Sequence, residues 1–165
     1  MTEKKRKEDK SMKAAIFMIN TRLYKEKKES PAGAVLKRLL EQVGLEVKTG
    51  VLPEDKEVIS TVMKQLSRNR SVQLILTVGA NGFLRKDCAP DALCDAAERL
   101  LPGIPEAMRA YNMRHSKKTI LDRSAAGICE STLLVNLPGS AKLAKEGLEY
   151  VLPELAQVAE TLNLR

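Results

Sequence analysis

The chain has few aromatic residues and no long apolar segment. Aromatic residues make up 3% of its 165 residues and none is Trp, so aliphatic side chains must build most of the core. No apolar run approaches the roughly 18 residues that span a membrane. The charged N-terminus lacks the apolar segment of a signal peptide. The composition, 44% hydrophobic and 30% charged, is typical of a globular protein, which we expect in the cytoplasm.

Cysteine and histidine are also scarce. Cys88, Cys94 and Cys129 are odd in number and form no C-x-x-C pair, which argues against a disulfide framework or a zinc site. We predict buried free thiols in a reducing compartment. His115 is the only histidine, which excludes multi-histidine metal sites and argues against a Ser-His-Asp triad. We interpret it as a partly exposed helix residue.

The chain is basic, with a net charge of +7. Residues 1–12 contain five basic and three acidic residues, so we predict a flexible basic tail there and one domain over residues 13–165. A basic balance favours anionic partners, which include phosphates, nucleotides and nucleic acid. No interleaved aromatic residues or recognition helix accompany the charge, so we do not expect nucleic acid to be the partner.

Predicted strands and helices alternate along the domain. Apolar runs and period-two patterns predict strands at residues 14–19, 45–52, 72–79, 119–122 and 131–137. Helical spacing and capping signals predict helices over residues 31–43, 53–66, 91–101, 105–111 and 140–162. The order β-α-β-α-β predicts right-handed crossovers, a mostly parallel sheet and the α/β class, with the strand at 45–52 near an edge.

A glycine-bearing loop follows the third predicted strand. Residues 77–87 read TVGANGFLRKD, and ligands bind in open α/β sheets just past the carboxyl ends of strands. Gly79 and Gly82 allow the backbone close to a ligand, and Asn81 tolerates a left-handed conformation that would turn its N–H toward an anion. Asp87 is positioned to reach a divalent cation between phosphates. A tight turn without a ligand explains G-x-x-G equally well.

Two further features belong to the same edge of the predicted sheet. Residues 136–140, NLPGS, span the end of another predicted strand and the start of a helix. The N-terminal amides of a helix attract anions, and an ordinary helix cap is the alternative interpretation. Glu54 and Asp55 begin the helix after the second strand, where acidic residues are favoured in any case. As a second carboxylate group beside Asp87, they would hold magnesium against a nucleotide's phosphates.

Taken together, these segments resemble the molybdopterin-binding domain family of the Mog and MoaB type. The family pattern T-x-G-G-T-G-x-x-x-R-D, then T-P-[DE]-A, corresponds to TVGANGFLRKDCAPDA at residues 77–92. The pattern P-G-x-x-E-x-x-R is matched at every fixed position by PGIPEAMR at 102–109. S-R-x-x-A-G corresponds to DRSAAG at 122–127, and N-L-P-G-[SNQ]-P to NLPGSA at 136–141. The family's P-D-[DE] corresponds to residues 53–55.

The resemblance implies a three-layer α/β/α sandwich that assembles as a homotrimer. It implies transfer of AMP from Mg-ATP to the terminal phosphate of molybdopterin, with release of pyrophosphate and a molybdenum insertase as a further partner. Asp87 and Glu54 are implied to hold magnesium, and both are implied to be catalytic together with Asp55. The residues implied to contact pterin and phosphates are Thr77, Gly79, Asn81, Gly82, Pro102, Gly103, Glu106, Arg109, Arg123, Asn136, Pro138, Gly139 and Ser140.

Several positions depart from the family pattern. The family's S-D-R after the first strand reads Asn20-Thr21-Arg22, Glu54 stands where the family has Asp, and Ala80 replaces a glycine. We expect an ordinary negative φ at Ala80, because a Cβ disfavours the left-handed region. These departures leave two functions open, an active adenylyltransferase and a non-catalytic molybdopterin-binding or carrier protein of the same pathway.

Overall fold

A six-stranded sheet forms the centre of the computed structural model, which describes residues 11–164. The strands are β1 (Lys13–Ile19), β2 (Glu46–Leu52), β3 (Leu74–Val78), β4 (Arg99–Leu100), β5 (Ala126–Cys129) and β6 (Thr132–Leu137). Their order is β2-β1-β3-β6-β5-β4, and the pairs from β2 to β6 are parallel, whereas β5 is antiparallel to both neighbours. The sheet is therefore mostly parallel, as predicted. Residues 1–10 of the predicted tail lie outside the described residues.

Helices cover both faces of the sheet and complete the three-layer sandwich. They are α1 (Thr21–Glu26), α2 (Pro31–Gln42), α3 (Lys56–Arg68), α4 (Ala89–Ala96), α5 (Gly103–Asn112) and α6 (Ala141–Asn163). Helices α2, α5 and α6 share one apolar core with the sheet, and α3 and α4 share a second core on the other face. Among the described residues, we find no helix that could span a lipid bilayer.

Local sequence signals explain where the helices begin. Ser30 caps α2 by accepting from Ala32 N at 3.3 Å, and Pro31 occupies the first turn. Ser140 caps α6 by accepting from Leu143 N at 3.4 Å. Both starts were predicted. Ser140 follows the end of β6 by three residues, so α6 begins at the carboxyl edge of that strand.

Four segments differ from the sequence predictions. Residues 119–122 were predicted as a strand, but the structure has a 3₁₀ turn over Lys117–Leu121, which Ser116 caps by accepting from Lys118 N at 3.3 Å. The helix predicted over residues 91–101 ends at Ala96, because Glu98 N donates to Ile128 O and β4 pairs with β5. Strand β5 and helix α1 were not predicted. In each case, pairing with a distant strand or a side-chain helix cap outweighs the secondary structure that the local sequence favours.

Candidate functional site

The segments that follow four parallel strands lie along one edge of the sheet. From the outer strand inward, β2 leads into Glu54, β1 into Thr21, β3 into Gly79 and β6 into Pro138. Neighbouring strands are about 4.8 Å apart, so this carboxyl edge brings together loops that are far apart in the sequence. The chain reverses its direction of winding between β1 and β3, the position at which open α/β sheets bind ligands.

The two predicted glycine turns lie side by side on this edge. A Cβ at Gly79 would sit 3.9 Å from the Cα of Gly139 and 3.3 Å from Ile19 O. A Cβ at Gly139 would sit 3.4 Å from the Cα of Gly79. Gly79 has φ +96, a conformation that glycine adopts without strain. The predicted juxtaposition of the two turns is confirmed, and their backbones touch without side chains between them.

The conformation predicted for Ala80 is wrong. Ala80 has φ 58, in the left-handed region, whereas Asn81 is not among the residues with positive φ. The family glycine at this position therefore reflects a backbone requirement that this chain meets with alanine, at a cost of roughly 1–2 kcal/mol. The reason is that Ala80 O accepts from Ala89 N at 3.0 Å, and the Asn81 side chain donates to Leu137 O, so both ends of the turn are fixed.

A cleft of about 370 Å³ opens beside the glycine turns, and we call it the glycine cleft. Its lining residues are Ala80, Asn81, Gly82, Phe83, Asp87, Asn112, Lys118, Thr119, Leu121, Asp122, Pro138, Gly139, Ser140 and Leu143. Five of the thirteen residues predicted to contact pterin and phosphates lie here: Asn81, Gly82, Pro138, Gly139 and Ser140. Of the three carboxylates predicted to be catalytic, Asp87 lies here as well. The site therefore draws on the ends of β3, β6 and α5 together.

Three residues that line the glycine cleft each carry a buried oxygen that lacks a hydrogen-bond partner within the described part of the chain. They are Asn81 Oδ1, Asn112 Oδ1 and Thr119 Oγ1, on residues that are 4%, 2% and 5% exposed. An unpaired buried polar group costs about 1–3 kcal/mol, so such groups usually serve a ligand or water. The amide oxygens accept hydrogen bonds, which suits a ligand rich in N–H donors. The sequence gives no signal for Asn112 and Thr119, since they lie at a helix end and in a 3₁₀ turn.

Thr77 and Asn136 lie beneath the cleft instead of in its lining. Both are fully buried on adjacent strands, and Asn136 Nδ2 donates to Thr77 Oγ1 at 2.7 Å. Asn136 Oδ1 accepts from Ala125 N at 3.0 Å. This pair ties the segment before β5 to the ends of β3 and β6, so it supports the two turns from below.

Arg123 braces the glycine loop. Its Nη2 donates to both carboxylate oxygens of Asp91 at 2.9 and 3.1 Å, and its Nη1 donates to Gly82 O at 3.3 Å and Asp87 O at 3.1 Å. Its backbone N donates to Asn81 O at 2.8 Å. The guanidinium thus donates its hydrogen bonds to this loop and to α4. These bonds hold the loop in one conformation.

Arg109 lies beside a carboxylate that also faces the cleft. Arg109 Nη1 donates to Ser124 O at 2.8 Å and lies 3.8 Å from Asp122 Oδ2. Burial raises the pKa of the Asp122 carboxyl above its usual value, while the hydrogen bond from Ser124 and the charge of Arg109 oppose that shift. Asp122 therefore brings a partly compensated negative charge to the cleft wall.

Asp87 folds back over its own loop. Its Oδ2 accepts from Leu84 N at 3.0 Å, and a Cβ at Gly82 would lie 2.6 Å from the same oxygen. Gly82 is therefore required for the carboxylate to occupy this position. Asp87 is one of the residues that line the glycine cleft.

The acidic pair Glu54 and Asp55 lies at the same edge. Glu54 N donates to Thr21 Oγ1 at 2.9 Å, and Glu54 Oε1 accepts from Thr21 N at 3.4 Å. Asp55 caps α3 by accepting from the backbone N–H groups of the first turn. Burial raises the pKa of the Cys88 thiol, and the charges of Asp91, Asp55 and Glu54 raise it further. The pair is thus within electrostatic range of the residue that follows Asp87.

The third motif lies away from the glycine cleft. Pro102 and Gly103 begin α5 and Glu106 lies in its first turn, exposed, and none of the three lines the cleft. Asn112, at the other end of α5, does line it. Nine residues of helix span about 13.5 Å, so the predicted contacts of this motif are not brought to the cleft of the same chain.

Sequence comparison agrees with this architecture. The sequence profile described as "Probable molybdopterin binding domain" matches residues 15–157. The chain belongs to this family. It is 35% identical over 105 residues to the molybdopterin adenylyltransferase of Haemophilus influenzae and 36% identical over 106 residues to that of Escherichia coli K12, matches that cover 64% of this chain. The chain spans about half the length of these curated relatives, 53% and 54%.

Solved structures of family members share the whole fold. The molybdopterin biosynthesis enzyme MoaB from Thermus thermophilus superposes with a TM-score of 0.82 at 28% identity, over 93% of this chain and 98% of that one. A molybdopterin biosynthesis protein from Mycobacterium abscessus gives 0.85 at 28% identity, over 94% and 98%. The predicted family and the three-layer α/β sandwich are both confirmed.

Proposed function

We propose that this chain transfers AMP from ATP to the terminal phosphate of molybdopterin, in the cytoplasm. The observation that carries the proposal is the glycine cleft, beside which two touching glycine turns leave backbone free to approach a phosphate. Three of its lining residues also carry a buried oxygen without a hydrogen-bond donor. A pterin ring offers N–H donors and an attached phosphate, so its chemistry complements both parts. The curated relatives named molybdopterin adenylyltransferase support the same reaction.

In the proposed reaction, an oxygen of the molybdopterin phosphate attacks the α-phosphorus of ATP. The bond between that phosphorus and the oxygen bridging to the β-phosphate breaks, and pyrophosphate leaves with its electron pair. Phosphoryl-type transfer depends chiefly on positioning and on compensation of negative charge. The turns at Gly79 and Gly139 would orient the acceptor phosphate, and the N-terminus of α6 at Ser140 would stabilise its charge.

Magnesium fits the carboxylates at this edge. No cluster of three metal-binding side chains occurs among residues 11–164, but magnesium usually takes one or two carboxylates together with substrate phosphates and water. Asp87 and Glu54 would hold the ion, and Asp55 would assist from the helix cap. When bound, the ion offsets the negative charge of the phosphates. The homotrimer and the insertase partner are also proposals.

A non-catalytic molybdopterin-binding protein is the second candidate. Glu54 stands where the family has Asp. Its carboxylate accepts a hydrogen bond from the backbone N–H of Thr21, a residue that stands where the family has a second Asp. The longer side chain displaces the carboxylate, and a displacement of about 1 Å in a preorganised site costs about 100-fold in rate. Such a protein would keep the glycine cleft and bind molybdopterin without turnover.

An adenylylation assay distinguishes the two functions. The protein is mixed with molybdopterin and Mg-ATP, and adenylylated product and pyrophosphate are measured. We expect turnover that Asp87→Asn lowers by about 100-fold. The matched control is Asp95→Asn, an exposed carboxylate on α4 that pairs with Lys56 at 3.2 Å, which should leave turnover unchanged. Binding without turnover in the unaltered protein would support the carrier, and neither binding nor turnover would overturn both functions.

A further inference from the structure

Arg109 contacts a wall residue of the glycine cleft without lining the cleft itself. It is the arginine of the third motif, on α5, and the residue that it contacts in the cleft wall is Asp122. Arg109 Nη1 lies 3.8 Å from Asp122 Oδ2 and donates to Ser124 O at 2.8 Å. One guanidinium nitrogen therefore reaches both the carboxylate of the wall and the backbone two residues later.

The pair of Arg109 and Asp122 is the least exposed ion pair in the described part of the chain. The two side chains are 28% and 14% exposed, and the next pair, His115 with Glu146, has 28% and 29%. Water screens a partly buried pair less than a surface pair, and the loss of one partner leaves the other charge uncompensated. Arg109 thus offsets a negative charge that would otherwise stand alone at the cleft.

Other bonds hold the backbone of residues 122–125 in place. Arg123 N donates to Asn81 O at 2.8 Å, in the glycine loop. Ala125 N donates to Asn136 Oδ1 at 3.0 Å, on β6. These bonds do not involve α5. Removal of the guanidinium would therefore free the carboxylate at position 122 and leave the backbone around it fixed.

A carboxylate released from α5 would act on a phosphorylated ligand. The cleft has a volume of about 370 Å³, that of a sphere about 9 Å across, and charges interact over about 8 Å at physiological salt. A negative charge that turned from α5 into this space would repel a phosphate bound there. An uncharged ring would experience little of this repulsion.

We infer that Arg109 is a positioning residue for the glycine cleft, which holds the Asp122 carboxylate against α5 and away from the phosphate of the substrate. The inference rests on the proposed function, because it requires a phosphorylated pterin in the cleft. The sequence resemblance implies instead that Arg109 contacts the pterin or its phosphate. The two roles predict different results when the carboxylate is removed.

A double-mutant cycle tests the inference. The Kd of molybdopterin is measured for the full chain with Arg109→Gln, with Asp122→Asn and with both. We expect Arg109→Gln alone to raise the Kd by about tenfold, but by less than about threefold beside Asp122→Asn, because a neutral amide does not repel a phosphate. A direct contact between Arg109 and the ligand would cost the same in both backgrounds, and that result would overturn the inference.

Two further variants separate positioning from a loss of folding. Arg109→Lys keeps the positive charge beside Asp122, so its Kd for molybdopterin should stay within about threefold of the unaltered value. Arg38→Gln, at an exposed position of α2, is the matched control and should leave the Kd unchanged. Circular dichroism confirms that each variant is folded. Equal losses in Arg109→Lys and Arg109→Gln would contradict the inference.

A ligand without phosphate supplies an independent readout. 6-Hydroxymethylpterin carries the ring alone, so Arg109→Gln should change its Kd by less than about twofold. A tenfold loss for both ligands would indicate that the substitution distorts the whole cleft, and it would overturn the inference.

The outcomes distinguish this inference from the proposed function. Turnover in the unaltered protein, with equal effects of Arg109→Gln in both backgrounds, would refute the positioning role and leave the adenylyltransferase standing. The expected coupling without turnover would support the positioning role and refute the adenylyltransferase. No binding of molybdopterin by the unaltered protein would overturn both.

Discussion

Gly79 and Gly139 are in backbone contact across two neighbouring strand ends: a Cβ at Gly139 would lie 3.4 Å from the Cα of Gly79. The contact joins loops that are 60 residues apart in the sequence. It exists because β3 and β6 are adjacent and parallel, with Val78 opposite Leu137. The proposed function depends on this relationship, since it brings the two predicted phosphate-binding turns together.

Gly79→Ala should destabilise the protein and weaken pterin binding. At φ +96 a side chain is strained, and the new Cβ would lie 3.3 Å from Ile19 O. We expect a loss of about 2 kcal/mol in the free energy of unfolding, measured with urea. Gly103→Ala is the control, because its Cβ would meet nothing within 4 Å, and it should be neutral or slightly stabilising. Equal losses in both variants would contradict the prediction.

Ala80→Gly should stabilise the protein. Ala80 has φ 58, and glycine removes the Cβ penalty of that conformation while making the unfolded chain more flexible. The two effects leave a net gain of about 0.5–1 kcal/mol in the free energy of unfolding. Ala110→Gly, at an exposed position in α5, should instead lose about 1 kcal/mol. If both variants lost stability alike, the turn at Ala80 would not be strained.

Asp122 should make the protein less stable as pH rises. Burial raises its pKa in the folded state above 3.8, so the folded protein retains this proton to higher pH than the unfolded chain. The free energy of unfolding therefore falls as pH rises from below 3.8 through the folded pKa. Asp122→Asn removes this contribution. Urea unfolding between about pH 3 and pH 7 should show the two proteins diverging, whereas parallel profiles would refute the assignment.

Arg123→Gln should loosen the glycine loop. The substitution removes the ion pair with Asp91 and the hydrogen bonds to Gly82 O and Asp87 O. The ion pair is solvent-exposed and therefore contributes little to stability. We expect local opening to increase about fivefold, equivalent to about 1 kcal/mol. The measurement is the rate of tryptic cleavage after Lys86, followed by mass spectrometry. Arg114→Gln, whose guanidinium lies 5.0 Å from the Tyr111 ring centroid, should leave that rate unchanged; a rise in both would indicate general destabilisation.

The sequence by itself determined the family, the class and most of the edge. Apolar runs marked β1, β3 and β6, and the caps Ser30 and Ser140 marked the starts of two helices, because these signals act between near neighbours. The motifs at residues 77–92 and 136–141 indicated both glycine turns, and their contact follows from strand order. The sequence did not predict the short elements α1, β4 and β5. Each has so few residues that its local preference is weaker than its pairing with distant segments.

Only the tertiary structure decided which residues line the glycine cleft. Asn112 and Thr119 enter the glycine cleft, whereas Pro102 and Gly103 lie at the far end of α5, because a helix of fixed length carries its two ends to different places. Ala80 adopts φ 58 because bonds on both sides of the turn hold it there, against its own preference. Local preferences set the elements, and packing among them sets the site.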